Sequence, residues 1–162
     1  MTTKDRLATA QWVVERNLAW IAAADAKVAI VVALNTAMLG GLAGAFGWAD
    51  ASRTLWAYLL SSASAVLTSG GVFCAAMAMF PRTDGPNKSL LFSKPIAQMS
   101  LNEYQVALKA ATDEELLDDW AGQVHRNAEI ATKKFHWVTL AMRWSFLGLP
   151  AWAAAIAVLL NK

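Results

Sequence analysis

The stretch VAIVVALNTAMLGGLAGAFGW, from Val28 to Trp48, holds 21 consecutive residues without a charge, and Asn35 is its one strongly polar side chain. A helix that crosses the roughly 30 Å hydrocarbon core of a bilayer needs about 20 mainly apolar residues. This stretch meets that requirement by itself. A second stretch, Thr54 to Phe80, runs 27 residues without a charge. A third, Trp144 to Leu160, contains Pro150 and extends backward through Met142, Leu140 and Trp137 past a single charge, Arg143. An arginine near a helix end can carry its head group to the interface. The chain has 162 residues, 57% of them hydrophobic and 16% charged. An ordinary soluble domain carries roughly 25% charged residues. A chain of this length cannot wrap three such helices on every side, so lipid is the solvent they imply.

The same composition excludes other classes. Cys74 is the sole cysteine, so neither an internal disulfide nor a cysteine metal set is available. A net charge of +2 implies no nucleic-acid partner. The first apolar run follows a charged segment of 27 residues and exceeds a usual secretory h-region, so it is expected to be a retained membrane helix. Twelve of the fourteen lysines and arginines fall in residues 1–27 and 81–143, whereas the loop Ala49–Arg53 holds only Arg53 and the C-terminus only Lys162. The positive-inside rule then puts the N-terminus and the 81–143 region in the cytoplasm, with Trp48 and Trp56 at the opposite interface.

The expected fold is all-α: an integral membrane bundle of three transmembrane helices, two of them long and continuing into a small cytoplasmic helical part. Within a single domain, residues 1–27 are the cytoplasmic part of helix one, 28–48 and 54–80 are the first two spans, 81–136 form the cytoplasmic loop and helices, and 137–160 form the third span. Leu7, Trp12, Val13, Leu18, Trp20 and Ile21 recur at roughly helical spacing, and neither Gly nor Pro occurs before Gly40. The helix from about Thr3 would project about 35 Å before Val28. Ser100 with Glu103, and Thr112 with Glu115, fit capping boxes. They predict a short helix from about Leu101 to Ala111 and a long one from Asp113 into the third span. Asp113, Glu114 and Glu115 sit where the helix dipole favours acids. Pro81 to Pro95, with three prolines and a glycine, reads as loop. Small residues recur on helix one (Ala37, Gly40, Gly41, Gly44, Ala45) and helix two (Ser61, Ala65, Ser69, Gly70). They suit close packing within the hairpin, favoured over a homodimer contact.

Two sets of polar residues need partners. Asp25 shares a helical face with Leu18, Ile21 and Val28, so it is expected to meet a cation of the other long helix, either Arg126, Lys133 or Lys134, or to line a polar pocket. On the long C-terminal helix, Gln123, Asn127, Ile130 and Lys134 form one stripe, and Glu129 lies at i,i+4 from Lys133. Asn127 and Lys134 on an inward stripe could hold an anion or a base edge. A phosphate near Lys27, Arg126 and Lys134 would have Phe92, Tyr104 or Trp120 available for stacking. The acidic stretch Asp113–Asp119 serves dipole compensation and solvation, or a docking face. Lys133 and Lys134 also suit interface anchors. His125 and His136 lack metal-ligand spacing, and no catalytic constellation stands out, so neither enzyme activity nor a cofactor is expected.

Glu15-Arg16, Ile21 and Ala24-Asp25-Ala26-Lys27 run directly into a membrane helix. A second span, Lys88-Ser89-Leu90-Leu91-Phe92, and then Gln123, His125-Arg126-Asn127, Ile130-Ala131 and Lys133-Lys134-Phe135 lead into a final span. This order resembles the small membrane effectors of Pycsar, the bacterial antiphage system in which a cyclase makes cyclic UMP or cyclic CMP. The resemblance runs from about Arg16 to Pro150. It implies an effector in the bacterial inner membrane that senses a cyclic pyrimidine mononucleotide from a cognate cyclase. It further implies that the effector then impairs the membrane and arrests the infected cell, as a homo-oligomer because three spans enclose no channel. The ligand-binding residues it implies are Arg16, Asp25, Lys27, Asn127 and Lys134, beside Arg126. The other class that fits is a structural membrane subunit docking a partner protein through its cytoplasmic helices.

Overall fold

Among the residues that the computed structural model describes (1–49, 54–81, 85–86 and 88–161), five helices and no strand occur. The described residues are 88% helix, as the expected all-α membrane class requires. Helix α1 spans Thr3–Trp48, α2 Leu55–Met79, α3 Ser93–Gln98, α4 Leu101–Ala110 and α5 Asp113–Leu160. The connection expected over Ala49–Arg53 falls, apart from Ala49, outside the described residues.

Local chemistry explains the helix starts. At α4 the Ser100 hydroxyl accepts from the Glu103 N–H at 3.3 Å while Glu103 Oε2 accepts from the Ser100 N–H at 2.7 Å. Thr112 and Glu115 make the same reciprocal pair at the start of α5. At α1, Thr2 and Asp5 exchange equivalent bonds. These bonds satisfy N–H groups that a first turn leaves without helical partners. The backbone N–H of Ser100 and then its hydroxyl hold the Glu103 carboxyl below the usual range, and Thr112 does the same for Glu115. A carboxyl with a depressed folded pKa contributes stability that is present above its unfolded value and is lost as pH falls through the folded one. Acidification below the ordinary value of 4.5 is therefore expected to fray the first turns of α4 and α5. Circular dichroism should show that loss, and it should be smaller in E103Q and E115Q, which lack the titrating group.

The segment read as loop up to Pro95 is partly helical, because α3 begins at Ser93. Proline is tolerated in a first helical turn, where its missing N–H has no helical acceptor to lose. Pro150 lies inside α5 without ending it. A proline deep in a spanning helix frees one carbonyl, which neighbouring helices can compensate.

The chain forms two compact units: Met1–Ala23 with Pro81–Lys133, and Ala24–Phe80 with Lys134–Lys162. Helices α1 and α5 contribute to both. In the first unit, Val14, Ile130 and Ala131 are buried, and Asn17 Nδ2 donates to the Val124 carbonyl at 3.1 Å. Buried positions on α1 follow a 3-4 spacing through Val14, Asn17, Ala24, Val28, Val31, Asn35, Met38 and Leu42. Trp12, Leu18 and Trp20 lie off that spacing and are all more than half exposed. A seam between close helices takes short side chains, and the large aromatics lie outside it.

In the second unit, α1, α2 and α5 each contain a window long and apolar enough to cross a membrane. Their outward side chains are apolar too: Ile30, Val66, Phe73, Phe146 and Leu147 are each more than 60% exposed. Two apolar clusters fill the interior. One joins Val28 and Val31 to Cys74, Ala75, Ala78, Val138 and Ala141. The other joins Leu42 to Ala57, Ala155 and Leu159. Small residues do bring helices together here. A Cβ on Gly41 would stand 3.4 Å from the Trp152 ring, and one on Gly70 would stand 3.0 Å from the Trp144 ring. Trp152 Nε1 donates to the Met38 carbonyl at 2.8 Å. Gly40 and Gly44 depart from the expected hairpin packing, since a Cβ on either would meet nothing within 4 Å. They lie off the 3-4 seam, on the outer face of α1.

Candidate functional site

The six residues expected to meet a ligand divide between the units. In the second unit, Lys134 Nζ donates to Asp25 Oδ1, forming an ion pair between α5 and α1. The Lys134 side chain is 12% exposed and Asp25 47%, so the lysine is the covered partner and the carboxylate faces outward more than its sequence neighbours suggested. Asp25 stands one position beyond the buried Ala24, at the flank of the seam. Lys27 Nζ lies 5.4 Å from the centre of the Phe135 ring, a cation–π distance. These contacts put an acid, two ammonium groups and an aromatic ring on adjoining turns of α1 and α5.

In the first unit, Arg16 stacks 5.5 Å over Trp12 on the same helix. Arg126 donates to Glu129 Oε2 at 2.8 Å. That bond first, and the nearby charges of His125, Arg126 and Lys133 after it, keep Glu129 below the usual carboxylate range. Glu129 therefore reaches back to Arg126 rather than acting only as the i,i+4 partner of Lys133. Asn127 is buried, with Gln123 and Ile130 on the same stripe, so the inward stripe read from the sequence is present. Gln123 Nε2 is buried without a hydrogen-bond partner.

A concavity of the first unit lies elsewhere, and none of the six residues lines it. It has a volume of about 760 Å³. That is within the range of small-molecule sites, roughly 300–1,000 Å³. One wall is the segment Pro86, Lys88, Ser89 and Leu90, another is Ala107, Ala110 and Ala111 around the end of α4, and the third is Glu115, Leu116, Asp118, Asp119 and Gly122 of α5. Phe92, Tyr104 and Trp120 are not in its lining. Its polar groups are three carboxylates, one ammonium and one hydroxyl. They suit a molecule that offers hydrogen-bond donors to carboxylates and a single anionic group to Lys88.

This wall is pinned by Asp119. The Ser89 hydroxyl donates to Asp119 Oδ1 at 2.6 Å, and the Leu90 N–H donates to Oδ2 at 2.7 Å. Ser89 Oγ also accepts from the Leu91 and Phe92 N–H groups at 3.1 and 2.9 Å, and the Tyr104 hydroxyl donates to the Leu90 carbonyl. Gly85 passes under the Phe92 ring, where any Cβ would collide. The sequence reading placed Asp119 in an acidic solvated stretch. The structure instead makes it the acceptor that folds the Lys88–Phe92 segment. The signal available was the serine at the centre of that segment, whose hydroxyl both donates and accepts.

A family profile described as the Pycsar effector protein domain matches residues 9–161 of this chain. Among curated proteins, the Pycsar effector protein PtPycTM of Propioniciclava tarda is 28% identical over 140 residues, covering 80% of this chain and 68% of that protein. No solved structure matches the chain.

Proposed function

We propose, from the premise that this chain belongs to the Pycsar effector family and is an antiphage-defence membrane effector, that it senses a cyclic pyrimidine mononucleotide and then impairs the inner membrane. A cognate cyclase supplies cyclic UMP or cyclic CMP during infection. Residues 1–27 and 81–136 lie on the cytoplasmic side, as the bias of lysine and arginine supports. The protein is not an enzyme and takes no cofactor; the nucleotide is a signal that it binds and does not convert.

The observation that carries this reading is that α1 and α5 each supply residues to both compact units. A ligand shifts a conformational equilibrium only by its differential affinity for the two states. A nucleotide that favours one arrangement of α1 against α5 acts on the same two helices that supply spans. Exposed Trp12, Leu18 and Trp20 on α1 and Leu101 and Val106 on α4 support assembly of several copies, because apolar surface of that extent is covered in most proteins. Within the first unit, Arg16 and Arg126 are cations offered to a phosphate and Asn127 a group offered to a base; within the second, Lys27 and Lys134 are the cations and Asp25 the acceptor.

Calorimetry on detergent-purified protein tests the reading against cyclic UMP, cyclic CMP, cyclic AMP and cyclic GMP. Binding is expected for a pyrimidine nucleotide at least tenfold more tightly than for either purine. N127A and K134A are expected to weaken it tenfold or more. Unchanged affinity in both would remove them from the site and leave the 760 Å³ cavity as the place to test, through K88A. In cells, membrane potential is expected to fall only when the cyclase is active. Full potential in the presence of abundant cyclic nucleotide would reject the function.

A further inference from the structure

The second unit carries a layer of buried polar side chains on α1, α2 and α5, beside its two apolar clusters. Asn35 of α1 is fully buried and donates to the Ser145 hydroxyl of α5 at 2.6 Å. Ser145 in turn donates to the Ala141 carbonyl. On α2, Ser61, Ser64 and Thr68 are buried, and Gly71 is the position that meets Asn35 and Ser145. Thr68 finds the Ser64 carbonyl at 2.7 Å. Among the described residues, Asn35 Oδ1, Ser61 Oγ and Ser64 Oγ have no hydrogen-bond partner. Burying such a group unpaired costs about 1–3 kcal/mol on the scale of protein substitutions. In hydrocarbon no solvent relieves it. Alanine or valine at these positions would pack a resting bundle at lower cost.

The layer is also placed for a passage. From Ser61 to Gly71 it covers eleven residues of helix, a rise of about 15 Å, or half of the hydrocarbon thickness. What closes it at either end is apolar and unevenly distributed. On α2 the closing residues are small: Ala57 at one end, and Cys74, Ala75 and Ala78 at the other. The bulkier ones are Val28, Val31 and Leu42 of α1 and Val138 and Leu159 of α5. Displacing α1 or α5 thus withdraws the plugs and leaves on α2 a face of hydroxyls and small groups.

We infer that Asn35, Ser61, Ser64, Thr68 and Ser145 are the water-accepting lining of the membrane lesion, carrying hydrated small ions when the effector is active and sealed by the flanking clusters at rest. Water is the partner that the unpaired oxygens lack, since one molecule can satisfy two to four polar groups. The inference rests on the nucleotide-gated reading above and names the residues through which that lesion conducts.

Two measurements in proteoliposomes, with cyclic UMP and cyclic CMP as the added probes, test it. The first uses S64C in a C74A background and the small cationic thiol reagent methanethiosulfonate ethylammonium. Labelling is expected to rise at least tenfold when nucleotide is added, while V66C, at a position 66% exposed on the outer face of α2, shows no such rise. The second uses S61A/S64A, which removes two unpaired hydroxyls and little volume. It is expected to melt no lower than the wild type and to bind nucleotide equally, yet to lose at least tenfold in ion flux. Flux through S61A/S64A equal to the wild type, or loss of potential with S64C unlabelled, overturns the lining and leaves the nucleotide-gated reading standing. A wild type that binds nucleotide without any flux overturns that reading and the lining with it.

Discussion

Gly71→Ala is expected to destabilise the membrane-spanning unit by about 1–3 kcal/mol, the usual cost of an extra methyl group in a filled interior. A Cβ at Gly71 would stand 2.9 Å from Ser145 Oγ and 3.1 Å from both polar atoms of the Asn35 amide. All three belong to a hydrogen-bonded pair that is almost wholly buried, so none is the free end of a flexible side chain. Either the 2.6 Å bond breaks or α2 moves away from α1 and α5. Gly40→Ala and Gly44→Ala give the contrast. A Cβ at either meets nothing within 4 Å, and alanine is the better helix former by up to about 1 kcal/mol. Thermal unfolding in one detergent should therefore lower the midpoint of G71A and leave G40A and G44A at or above the wild type. Equal midpoints for all three would mean that the bundle is not packed through Gly71.

The second large effect is expected at Asp119. Its two oxygens accept from the Ser89 hydroxyl and the Leu90 N–H, and hydrogen bonds to a charged group contribute about 1.5–3 kcal/mol each. Asp119→Ala removes both, leaving the Lys88–Phe92 segment held by the Tyr104 hydroxyl and its own serine turn. A local loss of about 2–4 kcal/mol corresponds to amide exchange roughly 30- to 1,000-fold faster at Leu90, Leu91 and Phe92. D119N, which keeps one acceptor oxygen, should fall between. The 760 Å³ cavity loses a fixed wall in D119A, so any nucleotide response that depends on it weakens in step with the exchange rates. Exchange at these amides unchanged from the wild type would show that the segment is folded by something other than the carboxylate.

These two positions mark what a linear reading reaches. Gly71 was visible as one more small residue in an apolar helix, and Asp119 as one more acid in a run of them. Neither has a neighbour in sequence that explains it. The partners of Gly71 lie on α1 and α5, and Ser89 stands 30 residues before Asp119. The capping boxes at Ser100 and Thr112 were legible because donor and acceptor are three residues apart. Lys134 was among the cations considered for Asp25, but 109 residues separate them and three candidates on α5 fitted the charge equally.

Sequence alone shows an all-helical chain with three membrane-length segments, the starts of α1, α4 and α5, and the family to which it belongs. Each of these depends on runs of adjacent residues: the length of uncharged stretches set against the thickness of a bilayer, hydroxyl and carboxyl groups one turn apart, and the order of short motifs. Only the tertiary structure decided which side of each spanning helix turns inward. Lipid accepts every apolar face alike, so the choice falls to close approach and hydrogen bonding: Gly71 against Asn35 and Ser145, Trp152 against Gly41, and Lys134 against Asp25. Those contacts join residues 36 to 111 positions apart, and they exist only once the helices have packed.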